Sequence, residues 1–224
     1  LALSGPGNIY FDDPISSGTT GGNSLSKSGS GFVQFMGNSL LNPTGKPGGG
    51  VTVSDGEFRV AQGANFATQG DDAVFTVQTG GALAGGGTIV AEQGFSITGT
   101  LTPDAFTHTI SDDLRTFSTA IPASQAIGIL TLAGDTTFNG ATLAVDLEAA
   151  NASDRVRVTG DVTLANSNTV RLGNWQTGTF SLLTATGTIN GTVAANFRAV
   201  TGNPAASSLP PLHGKAELYI TGGN

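Results

Sequence analysis

Apolar and polar residues alternate along most of the chain in short runs. Examples are residues 51–53 (Val-Thr-Val), 143–147 (Leu-Ala-Val-Asp-Leu) and 156–158 (Val-Arg-Val). Alternation with a period of two predicts strands with one buried side, and the Gly, Asn and Asp residues between the runs predict turns. Gly or Asn recurs too often for most segments to form a helix of ordinary length. The pattern therefore predicts an all-β protein made of many short strands.

Two all-β architectures compete for this pattern. A β-sandwich or jelly roll is expected to have longer strands and large aromatic anchors, whereas this chain has 1 Trp, 2 Tyr and 34 Gly. Small apolar residues on very short strands favour a β-solenoid, in which like side chains stack from coil to coil. We predict a single solenoid domain over residues 1–224, with the jelly roll as the alternative. Coils of about 20 residues would give on the order of ten coils.

The composition excludes several classes of protein. There are 9 basic and 16 acidic residues, spread thinly for a net charge of −7, so no nucleic-acid partner is expected. No apolar stretch approaches the roughly 18 residues of a membrane helix, so no transmembrane segment is expected. Cys is absent, which excludes disulfides and thiolate sites. A hydrophobic content of 38% is too high for a disordered chain.

Residues 103–127 interrupt the regular alternation of short strands and Gly-containing turns, because they contain no Gly. Ser111 followed by two Asp residues is typical of a helix N-cap, and Leu114, Phe117 and Ile121 would share one helical face. We predict a loop or a short helix inserted into the stack of coils. An insertion of this kind lies on one face of a solenoid and is a common binding site. The candidate partner-binding residues are Phe106, His108, Leu114 and Phe117.

Catalytic, cofactor and metal sites are not expected. The acid pairs Asp12-Asp13, Asp71-Asp72 and Asp112-Asp113 are interpreted as solvated turn residues, because adjacent strand residues point to opposite faces. Calcium at one of these pairs is the alternative. The two His residues, at 108 and 213, are more than one hundred residues apart, and no Gly-x-Ser-x-Gly elbow is present. We predict no enzymatic activity, no cofactor and no metal.

Five basic residues are scattered along the predicted strands and turns. Arg155 and Arg157 alternate with valines, as in a half-buried sheet. All of them are predicted to point outward. The five are Lys27, Arg59, Arg155, Arg157 and Arg171.

Three stretches of the chain contain sequence motifs similar to those of a known family. Residues 27–61 combine Lys27-Ser-Gly-Ser-Gly-Phe-Val-Gln-Phe with Gly48-Gly-Gly-Val-Thr-Val, and are followed by Gly80-Gly-Ala-Leu-Ala-Gly-Gly-Gly. The third stretch begins at Ile127-Gly-Ile-Leu-Thr-Leu and continues through residues 128–190. The first stretch resembles the passenger-associated β-strand repeat of bacterial autotransporters. The third resembles the last coils of their passenger domains.

The resemblance implies a right-handed parallel β-helix with a structural or adhesive role. Its implied location is extracellular or on the bacterial cell surface, and its implied partner is a host or neighbouring-cell surface. The chain departs from the family pattern at Pro103, which about twenty-five residues separate from the strand near Ile129. This departure is the insertion described above.

Two other functions stay open. Both ends of the chain have strand-like sequence without an amphipathic cap, so end-to-end self-association into an extracellular filament is the alternative function. A polysaccharide-active β-helix enzyme is the third hypothesis, which turnover assays on the parent and on Asp12, Asp71 and Asp112 variants would test.

Overall fold

A computed structural model describes most of the chain up to residue 201. The described ranges are 1–17, 22–41, 48–104, 109–110, 117–118, 127–148, 152–173, 178–191 and 197–201, with the backbone alone described at 109–110, 117–118 and 197–201. Within these ranges the protein is all-β and has no helix. Accordingly, the described part of the chain offers no helix with the length and apolarity needed to cross a membrane.

The strands form three faces, and each turn of the chain visits the first, second and third face in that order. The first face contains β1 (Ala2–Leu3), β3 (Leu25–Lys27), the first halves of β6 (Val51–Val60) and β8 (Phe75–Gly85), β10 (Phe95–Ile97), β15 (Thr136–Asn139), β18 (Val162–Ala165) and β21 (Ile189–Asn190). The second face contains β2 (Ile9–Phe11), β4 (Phe32–Phe35), the second halves of β6 and β8, β11 (Thr100–Thr102), β16 (Thr142–Val145), β19 (Asn168–Leu172) and β22 (Phe197–Thr201). The third face contains β5 (Ser39–Leu41), β7 (Asn65–Thr68), β9 (Thr88–Ala91), β14 (Ile129–Ala133), β17 (Arg155–Val158) and β20 (Leu183–Ala185).

Strands of neighbouring turns pair in parallel. On the first face the partners Leu3, Lys27, Val53 and Val77 follow at intervals of 24, 26 and 24 residues. The molecule is thus a parallel β-solenoid of about six turns, which confirms the predicted fold class and excludes the antiparallel jelly roll. The expectation of about ten coils is wrong, because most turns use more than the assumed length of about 20 residues.

The core is a stack of apolar side chains that point inward from all three faces. On the second face Val33 and Phe35 alternate with outward residues, and both are 0% exposed. Within the core, phenylalanine rings contact one another from turn to turn at centroid distances of 4.8–5.7 Å. The stack comprises Phe11, Phe35, Phe58, Phe66, Phe75 and Phe95. Because each ring contacts rings of neighbouring turns, packing of the core depends on successive turns being in register.

Asparagine side chains bridge neighbouring turns at the corners between faces. Asn8 Oδ1 accepts a hydrogen bond from Phe32 N at 3.2 Å, and Asn38 Oδ1 accepts one from Asn65 N at 3.1 Å. Asn168, which is fully buried, accepts one from Ala141 N at 2.8 Å. These side chains satisfy backbone donors where the strand ladder is interrupted.

Lys27 is buried at the corner between the first and second faces, so its predicted outward position is wrong. It is 2% exposed, and its Nζ donates to the carbonyl oxygens of Ser28, Gly29 and Asp55 at 3.1, 2.6 and 3.1 Å. The physical reason is the period of the strand, which directs Lys27 inward together with Leu25. The lysine ammonium takes the place of an apolar core residue because backbone carbonyls of the corner surround it.

The other four of the five basic residues considered in the sequence lie on the outer side of their strands. Arg157 and Arg171 are exposed, and Arg59 and Arg155 are half-buried. The alternation of Arg155 and Arg157 with buried valines is confirmed.

Candidate functional site

The insertion at residues 103–127 leaves the solenoid at the corner between the second and third faces. The chain departs after β11 and returns at β14, and an isolated antiparallel bridge joins Asp104 to Ile127. Farther out, β12 (Thr109–Ile110) pairs antiparallel with β13 (Phe117–Ser118). The described part of the insertion is thus hairpin-like, whereas the strands of the three faces pair in parallel.

The helical alternative for the insertion is wrong at Phe117, which lies in β13. The β-branched and aromatic residues of β12 and β13 favour extended backbone. The candidate residues Phe106, His108 and Leu114 lie outside the described residues, and only the backbone of Phe117 is described. Their partner-binding role stays a prediction.

A second, shorter excursion leaves the same corner one turn later. It connects β16 to β17, and an isolated antiparallel bridge joins Leu147 to Ser153. Glu148 N donates to Ala152 O at 2.7 Å beside this bridge. We call the paired residues at the base of each excursion its stem. The two excursions are neighbours because β11 pairs with β16 and β14 pairs with β17.

Three aspartates meet where these two stems lie side by side. They are Asp104, Asp146 and Asp154, and their nearest carboxylate oxygens all lie within 4.8 Å of one another. Asp154 is 3% exposed, and Asp104 and Asp146 are half-buried. We call these three residues the stem cluster. It is the candidate functional site of the described chain because like charges at this distance interact strongly.

Asp154 anchors the stem cluster to the backbone of both stems. Its Oδ1 accepts a hydrogen bond from Gly128 N at 2.8 Å, and its Oδ2 accepts one from Asp146 N at 3.0 Å. Asp154 N in turn donates to Asp146 O at 3.0 Å. One carboxylate therefore joins the return point of the insertion to the base of the second excursion.

The environment of the stem cluster favours the protonated acids. The pKa of Asp104 is raised to about 6, mainly by burial and also by the charges of Asp154, Asp146 and Glu57, while Arg59 opposes the change. The pKa of Asp154 is also raised to about 6, mainly by burial, although two backbone N–H donors lower it. Burial raises the pKa of Asp146 as well. Asp104 and Asp154 are therefore expected to exchange protons near pH 6.

The oxygen spacing of the stem cluster also meets the distance requirement for a shared cation. Acidic groups at such spacing are common in proteins without an ion, and both oxygens of Asp154 already accept backbone hydrogen bonds. We therefore assign no metal to it.

The acid pairs considered in the sequence lie elsewhere. Asp12, Asp13, Asp71 and Asp72 are exposed and lie outside the strands, as expected for solvated turn residues. The pair at 112–113 lies outside the described residues.

A second charged group lies on the outer side of the second face. The Arg59 guanidinium stacks 3.8 Å from the centroid of the Phe32 ring, and its Nε donates to Glu57 Oε2 at 2.6 Å. Tyr10 contacts the same ring edge-on at 5.2 Å. Arg59 and Glu57 influence Asp104 electrostatically, so this group borders the stem cluster.

The stem cluster was missed in the sequence because its members are single acids separated by long intervals. The signal that could have revealed the stem cluster is that two of its acids occupy equivalent positions in successive turns. Leu101 pairs with Leu143, which places Asp104 and Asp146 three residues farther along at equivalent positions of successive turns. Recognising this requires aligning the coils across the insertion.

Comparison of the chain with protein-family models, curated proteins and solved structures finds no match.

Proposed function

We propose that this protein is a non-catalytic, secreted or surface-exposed β-solenoid with a structural or adhesive role, resembling an autotransporter passenger. The parallel solenoid provides a rigid body, and the insertion at residues 103–127 carries the contact with a host or neighbouring-cell surface. The observation behind the proposal is the hairpin-like insertion, which departs from the regular faces between β11 and β14. Excursions from a regular scaffold are where binding residues concentrate.

The arrangement of acids supports the non-catalytic part of the proposal. Glycoside hydrolysis needs two carboxyl groups that reach a substrate from opposite sides. Asp154 is 3% exposed and both of its oxygens accept backbone hydrogen bonds, so it is unsuited to that task. Turnover of polysaccharides by the purified parent chain would contradict this part of the proposal.

Removal of the insertion is expected to abolish cell binding while leaving the solenoid folded. Asp104 and Ile127 form an antiparallel bridge, so their Cα atoms are about 5 Å apart and an Asn-Gly turn can replace residues 105–126. Flow cytometry with the fluorescent chain, on epithelial cells and on a Gram-negative bacterium, should show at least a tenfold loss of bound protein.

The matched control carries a scrambled sequence of residues 105–126 between the same stem residues. It tests whether the specific side chains of the insertion are needed rather than its length. Binding that persists in the deletion variant, or a parent chain that binds neither cell type, would overturn the adhesive role. Thermal unfolding of each variant distinguishes this result from loss of the fold.

End-to-end self-association is the second candidate function, and we place it at the outer edge of the first described turn. Among the described residues, β1 pairs with β3 alone and β2 pairs with β4 alone. The carbonyls of Leu1 and Leu3 accept hydrogen bonds from the second turn, so the alternation of a parallel ladder directs the N–H of Ala2 away from β3. An exposed strand edge of this kind is a template for another strand.

Ala2→Pro is expected to prevent such assembly, because proline removes the edge N–H without disturbing the bonds to β3. Sedimentation velocity should show concentration-dependent oligomers in the parent and at least a tenfold lower oligomer fraction in this variant. Ala2→Ser, which keeps the N–H, is the control and should assemble like the parent. A parent that stays monomeric at all concentrations excludes the filament.

A further inference from the structure

The stem of the insertion is held unevenly on its two sides. The return strand is fixed through Gly128, whose N–H donates to the anchored carboxylate of Asp154. The departing strand ends at Asp104, which bridges to Ile127 and places its carboxyl within 4.8 Å of the other two acids. A change in repulsion between the carboxylates therefore acts mainly on Asp104.

We propose that the stem cluster is a pH-dependent latch that keeps the Asp104–Ile127 bridge closed while its acids share protons and opens the bridge when all three are ionised. The proposal concerns the described stem and is independent of what the insertion binds. It gives the protein a means to change the attachment of its insertion between acidic and neutral surroundings.

The charged groups around the latch offer little compensation for three negative charges. Asp104 faces Asp154 and Asp146 from the adjacent turn, and Glu57 and Arg59 from β6. Asp154 faces Asp146 and Glu148. Arg59 is the one cation among these described neighbours, and it is paired with Glu57. Ionisation of the cluster therefore leaves a net repulsion inside the stem.

The direction of the pH effect follows from the raised pKa values. Asp104 and Asp154 each have a pKa of about 6 in the folded stem, against the ordinary value of 3.8 for an aspartate. Folding of the stem thus favours the protonated acids, and their stabilising contribution is complete below pH 4 and is lost as the pH rises through about 6. The acids are coupled, so the transition belongs to the cluster as a whole.

Asp104→Asn tests the latch, since asparagine keeps the shape of the side chain and cannot ionise. Hydrogen–deuterium exchange is measured at pH 5 and pH 8 in the presence of a chelator, with every rate divided by its intrinsic value. Peptides covering residues 100–104 and 127–130 should be about tenfold less protected at pH 8 than at pH 5 in the parent. The difference should be clearly smaller in the variant, in which only Asp146 and Asp154 still titrate.

Two further variants complete the test. Asp146→Asn leaves Asp104 titratable but removes a neighbouring charge, so the pKa of Asp104 should fall. The stem should then be less protected at pH 5 than in the parent, and its protection should still decrease between pH 5 and pH 8. Asp71→Asn, which removes an exposed acid, should behave like the parent.

Strands β15 and β18 report whether each variant retains the solenoid. Stem protection that is the same at pH 5 and pH 8 in the parent would overturn the latch. A parent-like pH dependence in the Asp104→Asn variant would also overturn it, provided that β15 and β18 stay protected.

Discussion

Phe58→Ala is expected to lower the free energy of unfolding by about 3–5 kcal/mol. Phe58 is 0% exposed, and its ring lies 4.9 Å from that of Phe35, 5.0 Å from Phe66 and 5.3 Å from Phe75. Truncation would remove contacts with three rings that belong to different strands, and the rigid β-ladders limit how far the core can collapse into the cavity. Urea unfolding followed by circular dichroism measures the loss.

Phe32→Ala is the matched control for this prediction. Phe32 is an outward, half-buried phenylalanine on β4, where it contacts Tyr10 and the Arg59 guanidinium. Its removal leaves no closed cavity, so a loss of about 1 kcal/mol is expected. Equal losses in the two variants would show that the inward aromatic stack does not dominate the stability of the solenoid.

The period-two alternation was sufficient to predict the fold class. In segments such as residues 51–53 and 156–158 the apolar residues are buried and the polar ones point outward. Very short strands rich in small residues also indicated stacking between turns rather than hairpins, and the parallel pairing confirms it. These features depend on local sequence, which is why a single chain contains enough information for them.

The number of turns could not be obtained in the same way. Gly-rich connections look alike whether they form a tight corner within a turn or a longer link between turns. Strand β6 shows the difficulty, because it continues from the first face to the second through Gly56, at a φ of 66°. Glycine tolerates this left-handed backbone, so a residue that suggests the end of a strand lies within one.

The position of the insertion was predictable, but its chemistry was not. The lack of Gly over residues 103–127 marks the departure from the regular turns. The stem cluster depends instead on which residues of two successive turns become neighbours, and that is decided by the register across the insertion. Single acids such as Asp104 and Asp154 have no distinctive local pattern.

Lys27 shows how a correct strand pattern can be misinterpreted when residue type is given priority over period. Leu25 and Lys27 lie on the same side of β3, and both are 2% exposed. Charge alone suggested an outward side chain, since lysine is almost never fully buried unless paired. Its partners are backbone carbonyls of the corner, and these are invisible to a search for acidic residues.

Lys27→Met is expected to destabilise the protein by about 2–4 kcal/mol. Methionine has a similar length and preserves much of the packing, but it leaves the carbonyl oxygens of Ser28, Gly29 and Asp55 without the ammonium donor. Burial lowers the pKa of Lys27, with Asp55 and Glu57 opposing the change, so the cost of desolvating the ammonium partly offsets the value of its hydrogen bonds. The midpoint of urea unfolding measures the net effect.

Arg157→Met is the control, because Arg157 is an exposed cation on the outer side of β17. Loss of a surface charge at this position is expected to change the stability by less than about 0.5 kcal/mol. If Lys27→Met were as stable as this control, the three hydrogen bonds would be balanced by the desolvation of the ammonium. The buried lysine would then determine the path of the corner without contributing net stability, because a buried methionine at this position would stabilise the protein equally well.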